Sequence, residues 1–379
     1  MISAGEASGD LHAANLVKAL HKMDSTISIH GMGSARLQET GTTLLVDCAD
    51  IAVVGLVEVL AHYGDIKRAL NTLTASLRNN PPNLLILVDY QEFNFRLAKT
   101  AKQLGIRVLF YISPQVWAWR QHRVHTIGKL IDMMAVLFPF EEKFYRNANV
   151  PVTFVGHPLV EDTHPDKSAV TCLAEYDLDS TKKIIGLFPG SRKSEIKRVL
   201  PVLLDAAEIL RTKHEDFQFI LPVASTLNIE FIQSFLVRHS HLNIRVVKDR
   251  PYNIMQVCHA IMTASGTATL EIALMGIPNV IVYRIAHLSY FILKRMITID
   301  NIGLVNIVAE KNIIKEYIQY DAIAEDIAAE IDKLLYNENY RNNMIVELSK
   351  VREKLGKKGG SNNIAQLAYD MLSPDWKPA

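Results

Sequence analysis

The chain has 379 residues, which is long enough for two domains of ordinary size. Hydrophobic residues make up 49% and charged residues 21% of it, a composition typical of a globular protein with ample core. The formal net charge of +1 excludes a strong overall attraction to nucleic acid, so an anionic ligand must be held by a local patch.

The first predicted element is a short apolar strand that leads into a glycine-bracketed loop and a helix. Residues 1–4 precede Gly5, whereas strands usually run about five or six residues. We therefore expect that the native protein starts upstream or that the chain is clipped. A loop after a parallel strand lies at the ligand edge of the sheet, and the next helix N-terminus favours an anion. A plain strand-to-helix turn explains the loop equally well. The candidate binding residues are Gly5, Glu6, Ser8, Gly9 and Asp10.

Residues 51–77 have helical periodicity, but the first half of this segment is apolar on every face. One apolar face, as in an ordinary surface helix, is marked by Leu56, Leu60, Tyr63, Leu70, Leu73 and Leu77. A helix that is apolar all round is either fully buried or meets lipid with its extra face. The residues that would meet lipid are Val53, Val54, Leu56, Val57, Val59 and Leu60.

From residue 83 onward, short apolar runs alternate with helical stretches such as 91–104 and 194–213, and the tail after Asn312 is largely helical. This alternation predicts α/β architecture, with parallel sheets covered on both faces. The predicted strands are 83–89, 106–113, 133–138, 152–156, 184–190, 217–223, 244–249, 260–265 and 279–283.

The alternation breaks between His157 and Lys183, where the sequence is polar and contains two prolines. We therefore predict a first domain over residues 1–157, a linker over 158–182 and a second domain over 183–379 that ends in a helical tail. Each domain is expected to be a doubly wound, Rossmann-like unit. His157, at the junction, is expected to be structural rather than catalytic.

Two strand-to-helix turns in the second domain are suited to phosphate. Small residues follow an apolar strand in each turn, and Arg192 adds a fork of donors that matches a phosphate. Glu271, one helical turn beyond the second of them, is placed to accept from ribose hydroxyls. These features suggest a nucleotide diphosphate, although a solvated Arg192 and a surface Glu271 would also explain them. The turn residues are Gly190, Ser191, Arg192, Ser265, Gly266 and Thr267.

The cysteines indicate neither a disulfide framework nor a metal site. Cys48, Cys172 and Cys258 are isolated, and no His, Cys or Asp cluster has metal-ligand spacing. We expect buried, reduced thiols in a cytoplasmic protein that needs no metal or other cofactor. No apolar run approaches the roughly 18 to 20 residues that span a bilayer.

Seven segments together resemble the lipid-A-disaccharide synthase family. They are AGEASGD (4–10), GLVEVL (55–60), SPQVWAWR (113–120), FPFEEKFY (138–145), FVGHPL (154–159), LFPGSR (187–192) and ASGTATLE (264–271). The resemblance covers nearly the whole chain, and the combination of the opening segment with VWAWR is specific to that family. It implies the GT-B fold, in which two doubly wound Rossmann-like domains have a cleft between them.

The resemblance implies an inverting glycosyltransferase. Its donor would be UDP-2,3-diacylglucosamine and its acceptor 2,3-diacylglucosamine 1-phosphate, joined through a β-1,6 bond with release of UDP. Such a displacement needs a base at the acceptor hydroxyl and positive charge or dipoles at the departing UDP. A 2-epimerase or a transferase with a polyprenyl-linked acceptor stays an alternative, as does a non-catalytic relative that binds lipid or nucleotide.

The resemblance also implies roles for single residues. Asp89 matches the family's strand-end aspartate and is the predicted general base, although it could instead cap the next helix. Glu92 is a weaker candidate, and Gln91 and Glu92 depart from the family pattern D-x-P-D-F-N. Arg192 and the second turn would bind the diphosphate, and Glu271 the ribose.

Further contacts would come from Trp117, Arg120, Asn306 and the opening loop, which would touch either the donor phosphate or the acceptor sugar. Packed aromatics and a solvated basic helix explain residues 112–129 equally well, and Val305 stands where the family usually has proline. Acylated substrates imply a membrane lipid surface as a partner, on the inner face of the inner membrane. No nucleic-acid partner is expected, and a homodimer is left open.

Overall fold

The structure is a computed structural model that describes residues 1–50, 63–287, 290, 291, 295, 301–356 and 359–377. The chain folds into two compact units. The first unit comprises Met1–Pro158 and Gly356–Ala379, and the second comprises Leu159–Leu355.

The first unit is built on a parallel sheet. Its described strands are β1 (Ile2–Ala4), β2 (His30–Gly33), β3 (Thr43–Asp47), β4 (Leu84–Val88), β5 (Arg107–Tyr111), β6 (Met133–Val136) and β7 (Val152–Phe154). Their order across the sheet is β3-β2-β1-β4-β5-β6-β7. Short as it is, β1 is an interior strand, because Ile2 pairs with Gly31 on one side and with Ile86 on the other.

Helices cover both faces of this sheet. Leu85 and Leu87 lie in one hydrophobic cluster, and Ile86 and Val88 lie in another, so β4 is buried on both faces as a doubly wound fold requires. The helices are α1 (Ala7–Met23), α2 (Ala35–Gln38), α3 (Tyr63–Asn79), α4 (Gln91–Gln103), α5 (Arg123–Gly128) and α6 (Pro139–Asn147), with short 3₁₀ turns at Cys48–Asp50 and Gln115–Trp117.

The second unit repeats this design. Its described strands are β8 (Ile184–Phe188), β9 (Gln218–Pro222), β10 (Arg245–Val247), β11 (Ala260–Ala264), β12 (Asn279–Tyr283) and β13 (Glu316–Ile318), in the order β10-β9-β8-β11-β12-β13 and all parallel. The helices are α7 (Leu159–Asp162), α8 (Ala169–Glu175), α9 (Lys193–Lys213), α10 (Ile229–Leu236), α11 (Pro251–Met255), α12 (Thr267–Leu274), α13 (Leu304–Ala309), α14 (Ala324–Tyr336) and α15 (Glu338–Lys354), with a 3₁₀ segment at Val237–Leu242.

In both units, the first strand of the sheet lies beside the fourth. Ser3 of β1 pairs with Leu87 of β4, and Gly186 of β8 pairs with Ile261 of β11. The chain winds away from such a point in both directions, which leaves a crevice at the carboxyl ends of the two strands where α/β proteins bind ligands. We call the carboxyl ends of β1 and β4 the first switch point and those of β8 and β11 the second switch point.

The predicted apolar strands are confirmed to within two residues at each end, and the predicted helices at 91–104 and 194–213 are confirmed as α4 and α9. Strands β2, β3 and β13 were not predicted. Two of the four residues of β2 are glycine, and β3 is an edge strand with alternately exposed side chains. Neither has the continuous apolar run of a central strand.

The carboxyl-terminal residues belong to the first unit, which corrects the predicted second domain over 183–379. Helix α16 (Gly360–Asp370) packs against α1, and Ile364 and Ala368 lie in a hydrophobic cluster of the first unit. An amphipathic pattern does not state which sheet a helix covers, so the sequence could not assign this one. The predicted linker over 158–182 contains α7 and α8, which belong to the second unit.

The predicted lipid-facing residues lie outside the described part of the chain; they are Val53, Val54, Leu56, Val57, Val59 and Leu60. In the helix that follows, α3, Leu73 and Leu77 of the predicted apolar face are buried, whereas Tyr63 is exposed. Within the described ranges, every helix is too short or too polar to cross a membrane.

Candidate active site

The second switch point opens into a cavity of about 660 Å³. This volume falls within the roughly 300–1,000 Å³ that is typical of small-molecule sites. The structure brings together around it every residue that the sequence predicted to bind a nucleotide diphosphate. These residues are Gly190, Ser191, Arg192, Ser265, Gly266, Thr267 and Glu271.

The turn between β8 and α9 is closed by a carboxylate of its own helix. The Glu195 Oε2 atom accepts from the backbone N–H groups of Ser191 at 3.1 Å and Arg192 at 3.2 Å. Gly190 has a φ of +106°, and a Cβ there would lie 2.5 Å from Glu195 Oε2, so this position requires glycine. The Arg192 side chain is largely exposed, with its guanidinium 3.4 Å from Glu195 Oε1. The guanidinium is therefore the part of this turn best able to reach a ligand.

The turn between β11 and α12 is open in comparison. No side chain of the described residues caps α12 at Gly266, and a Cβ built on Gly266 meets no atom within 4 Å. The Ser265 N–H donates to the Val282 carbonyl at 3.2 Å and the Thr269 N–H to the Gly266 carbonyl at 3.1 Å, which leaves the N–H groups between them for a ligand. The helix dipole gives these groups partial positive charge. Because Ser265, Gly266 and Thr267 line the cavity, this helix terminus is suited to an anionic ligand.

Glu271 is held in the cavity by a hydrogen bond. Its Oε1 atom accepts from the Tyr252 hydroxyl at 2.8 Å. Burial raises the pKa of Glu271, and the hydrogen bond from Tyr252 opposes that rise. Arg250 stacks over the Tyr252 ring with its guanidinium carbon 5.1 Å from the ring centroid. One carboxylate oxygen is thus fixed, and the other is able to accept from a sugar hydroxyl.

The residues that line the side of the cavity after β9 and β10 were not predicted from the sequence. Their position in the chain could have identified them, because the loops after neighbouring parallel strands lie at one edge of the sheet. Val223 and Met255 add apolar surface to this side, as a flat nucleobase requires. The additional lining residues are Pro222, Val223, Ala224, Ser225, Asp249, Arg250, Pro251 and Met255.

At the first switch point, the chain after β4 takes two consecutive left-handed residues. Asp89 has a φ of +49° and Tyr90 of +45°, and Ile112 after β5 has a φ of +72°. Each non-glycine residue in this region costs about 1–3 kcal/mol, and such strain clusters at functional sites. A Cβ on Gly5 would lie 2.1 Å from the Tyr90 ring, so the loops after β1 and β4 pack tightly together.

A buried asparagine holds this strained turn. The Asn94 side chain is fully buried, and its Nδ2 atom donates to the Asp89 carbonyl at 2.7 Å. Its Oδ1 atom accepts from the Ser3 hydroxyl at 2.7 Å, so one amide ties the end of β4 to β1. This role was not predicted from the sequence, although Asn94 matches the last position of the family pattern D-x-P-D-F-N.

Asp89 has the properties of a base. Burial raises the pKa of Asp89 to about 6, and the charge of Glu6 adds to the rise. Such a carboxylate is a stronger base than an ordinary aspartate and stays ionised above pH 7. Asp89 does not cap α4, since the N-cap position is Tyr90. Glu92 is exposed and forms an ion pair with Arg123 at 2.7 Å, so the geometry favours Asp89 over Glu92.

The opening loop divides into exposed and buried residues. Glu6 and Ser8 are exposed, whereas Gly9 and Asp10 are buried. The Asp10 Oδ1 atom accepts from the backbone N–H of Ser34 at 2.6 Å, which ties α1 to the chain after β2. Asp10 is thus used in packing within the first unit, which differs from the predicted contact with a ligand.

The segment SPQVWAWR also contains both buried and exposed residues. Trp117 is buried, and its Nε1 atom donates to Glu141 Oε1 at 3.1 Å, so the packed-aromatic alternative holds for this residue. Arg120 is exposed, has a φ of +59° and stacks on the exposed Trp119 ring, 4.4 Å from its centroid. Trp119 and Arg120 thus form an exposed pair of an aromatic ring and a cation, which can contact a ligand or a surface.

The structure places Asn306 in the interior of the second unit, which differs from the predicted cleft contact. Its Oδ1 atom accepts from the backbone N–H of Ile314 at 3.0 Å, and its Nδ2 atom donates to Glu316 at 2.7 Å. The amide therefore ties α13 to β13. His157 is also buried and packs against the Phe138 ring. Burial lowers the pKa of His157 to about 4, which keeps the ring neutral and suits a structural role.

The described residues contain no group of three or more His, Cys, Asp or Glu side chains that could hold a metal ion. Cys48, Cys172 and Cys258 are buried, as predicted.

Comparison with known proteins decides the family. The family model described as lipid-A-disaccharide synthetase matches residues 1–369. The chain belongs to the lipid-A-disaccharide synthase family. A relative of that name from Geobacter sulfurreducens is 51% identical over 98% of this chain and 97% of the relative. Another, from Nitrosococcus oceani, is 46% identical over 98% of this chain and 95% of the relative. The predicted family and the predicted enzyme class, a glycosyltransferase, are confirmed.

Solved structures confirm that this lipid-A-disaccharide synthase family member has the GT-B fold. A UDP-N-acetylglucosamine 2-epimerase from Neisseria meningitidis, bound to UDP-GlcNAc, has a TM-score of 0.60 at 13% identity over 98% of both chains. The glycotransferase of kitacinnamycin has a TM-score of 0.65 at 15% identity, also over 98% of both chains. Because one fold serves an epimerase and a transferase, the reaction must be argued from the residues of the site.

Proposed function

We propose that the protein transfers the sugar of UDP-2,3-diacylglucosamine to the 6-hydroxyl of 2,3-diacylglucosamine 1-phosphate. The product is a β-1,6-linked, acylated disaccharide 1-phosphate, and UDP is released. The second switch point carries this proposal, because residues from two separate strand-to-helix turns and a carboxylate line one cavity there. A nucleoside diphosphate combines anionic phosphates with the vicinal diol of its ribose, and it therefore matches this set of donors and acceptors.

In this proposal the second unit binds the donor. The diphosphate rests on the N–H groups of Gly266 and Thr267 and on the hydroxyls of Ser265 and Thr267, and the Arg192 guanidinium neutralises it from the other turn. Glu271 accepts from the ribose hydroxyls, and the uracil ring lies against the apolar surface of Val223 and Met255. The same fixed donors stabilise the negative charge that grows on UDP as it leaves.

The first unit supplies the base. Asp89 takes the proton of the acceptor 6-hydroxyl while the oxygen forms a bond to the donor's anomeric carbon. The bond from that carbon to the diphosphate breaks, and UDP leaves with the electron pair. A single displacement converts the α-linked donor into a β product through an oxocarbenium-like transition state. The pKa of about 6 for Asp89 suits a base that works at neutral pH.

We also propose that the first unit binds the acylated acceptor at a membrane lipid surface, on the cytoplasmic face of the inner membrane. Two acyl chains make the substrates too apolar to leave a bilayer freely. The exposed Trp119 and Arg120 combine an aromatic ring with a cation, which suits a surface of anionic headgroups. Co-sedimentation with anionic vesicles should fall for a Trp119→Ser, Arg120→Ser double variant, and unchanged co-sedimentation would refute this surface. A homodimer stays a prediction, which the mass from light scattering tests.

The decisive experiment measures UDP release from the acylated donor, with and without the acylated acceptor. We expect UDP and disaccharide in equal amounts, and only when both substrates are present. Turnover of UDP-N-acetylglucosamine alone would instead support an epimerase. UDP binding without any release from the acylated donor would support a non-catalytic relative.

A further inference from the structure

The turn between β8 and α9 already holds an anion, the carboxylate of Glu195. One oxygen accepts from the backbone N–H groups of Ser191 and Arg192 at 3.1 and 3.2 Å. The other lies 3.4 Å from the Arg192 guanidinium. The same carboxylate fills the space over Gly190, where a Cβ would lie 2.5 Å from it. Two of the N–H groups that a phosphate could use in this turn are therefore occupied by the protein itself.

The turn between β11 and α12 has no such carboxylate among the described residues. No described side chain caps α12, and a Cβ added to Gly266 would have no atom within 4 Å. Both turns line one cavity, and Glu195 also lines it. The two turns thus lie at the same switch point, but one is filled by a fixed negative charge and the other is not.

We propose that Glu195 is a built-in anion that determines where the diphosphate binds and limits how tightly it binds. This inference rests on the proposed function. Glu195 reserves the N–H groups of Ser191 and Arg192, so the diphosphate takes the α12 turn and receives only the Arg192 side chain from the other. Its charge repels the bound diphosphate, and a site that must release UDP in every cycle gains from that weaker hold.

The sharpest test compares the affinities of UDP and uridine in Glu195→Gln. Glutamine keeps an oxygen that accepts from the two N–H groups, but it removes the charge. We expect the variant to bind UDP about three- to tenfold more tightly than the unaltered protein does, by calorimetric titration. Uridine, which has no phosphate, should bind both proteins equally. Asp205→Asn, which removes an exposed charge elsewhere on α9, should leave UDP affinity unchanged.

A second variant, Glu195→Ala, uncovers the N–H groups as well as removing the charge. Inorganic phosphate should then compete with UDP at lower concentration than it does in the unaltered protein. Equal or weaker UDP binding by Glu195→Gln, with unchanged competition by phosphate in Glu195→Ala, would overturn the inference. If the unaltered protein bound no UDP, the proposed function itself would fail, so the two failures are distinguishable.

Discussion

The two switch points have the same topology but present different side chains to a ligand. In each, the first strand of a parallel sheet lies beside the fourth. The first switch point presents the carboxylates of Asp89 and Glu6, whereas the second presents Arg192 and the small residues at 265–267 around a cavity. The fold thus supplies an edge for ligands, and a few residues after the strands decide whether that edge takes up a proton or holds an anion.

The backbone differs between them as well. The first switch point places Asp89 and Tyr90 in the left-handed region, at a cost of about 1–3 kcal/mol each, and Asn94 holds them there. The second places Gly190 in that region, where glycine has no such cost. Asp89 is therefore held in place by a strained backbone and the hydrogen bond from Asn94. The turn between β8 and α9 instead adopts its conformation without strain, because Gly190 is a glycine.

Asp89→Asn should have the largest effect, because it removes the proposed base from the first switch point and leaves the second unchanged. We expect transfer to fall about 10²- to 10⁴-fold in a UDP-release assay. UDP affinity should stay the same. Glu92→Gln is the matched control, since Glu92 is an exposed ion-pair partner of Arg123, and it should keep near-normal transfer. Equal losses in the two variants would remove the distinction between Asp89 and Glu92.

Arg192→Ala should break the second switch point instead. Loss of a charged donor to the diphosphate should raise the Kd for UDP about 10- to 100-fold, as measured by calorimetry. Arg198→Ala is the control, because Arg198 lies on the same helix but donates to the Ser194 carbonyl. If Arg198→Ala weakened UDP binding as much as Arg192→Ala, general electrostatics would explain both results.

Asn94→Leu should affect the first switch point through the backbone. The side chain keeps its volume but loses the bonds to the Asp89 carbonyl and the Ser3 hydroxyl, which should lower the free energy of unfolding by about 1–3 kcal/mol. Below the melting temperature, we expect roughly tenfold slower transfer and unchanged UDP affinity. Full transfer activity in a folded Asn94→Leu protein would show that the strained turn does not position Asp89.

Glu6→Gln should have the smallest effect and the most specific one. Burial and the charge of Glu6 raise the pKa of Asp89 to about 6, and only the ionised carboxylate is a base. The rate at subsaturating substrate should therefore rise through pH 6 and level off above it. Removing the Glu6 charge lowers the pKa of Asp89, so this acid limb should move to lower pH. If the acid limb of the pH–rate profile stayed in place or moved to higher pH, the charge of Glu6 would not be what raises the pKa of Asp89.

Much of the fold could be predicted from the sequence because central parallel strands are continuous apolar runs. That signal fails for β2, which is half glycine, and for the edge strand β3. It fails differently for α16, whose apolar pattern predicts a helix but not the unit it covers. Long-range packing decides that choice, and packing has no local signature.

The positions of the site were more predictable than the state of each side chain. Turns after strands were visible as small residues, so Gly190 and Ser265 were found. The sequence did not show which of these side chains are buried. In the structure, Asn306 and Trp117 are held by interior hydrogen bonds. Glu195 stands at the position of the acidic residue in a capping box, but Arg192 stands where that motif has serine or threonine, so the sequence carries only half of the signature.

A crystal structure with bound UDP tests the division between the two switch points most directly. We expect the diphosphate on the N–H groups of Gly266 and Thr267, with Arg192 in contact, Glu271 on the ribose hydroxyls and Glu195 still bonded to its own turn. A nucleotide bound away from Arg192 and Glu271, or one whose phosphate contacts the first switch point at Asp89, would contradict it.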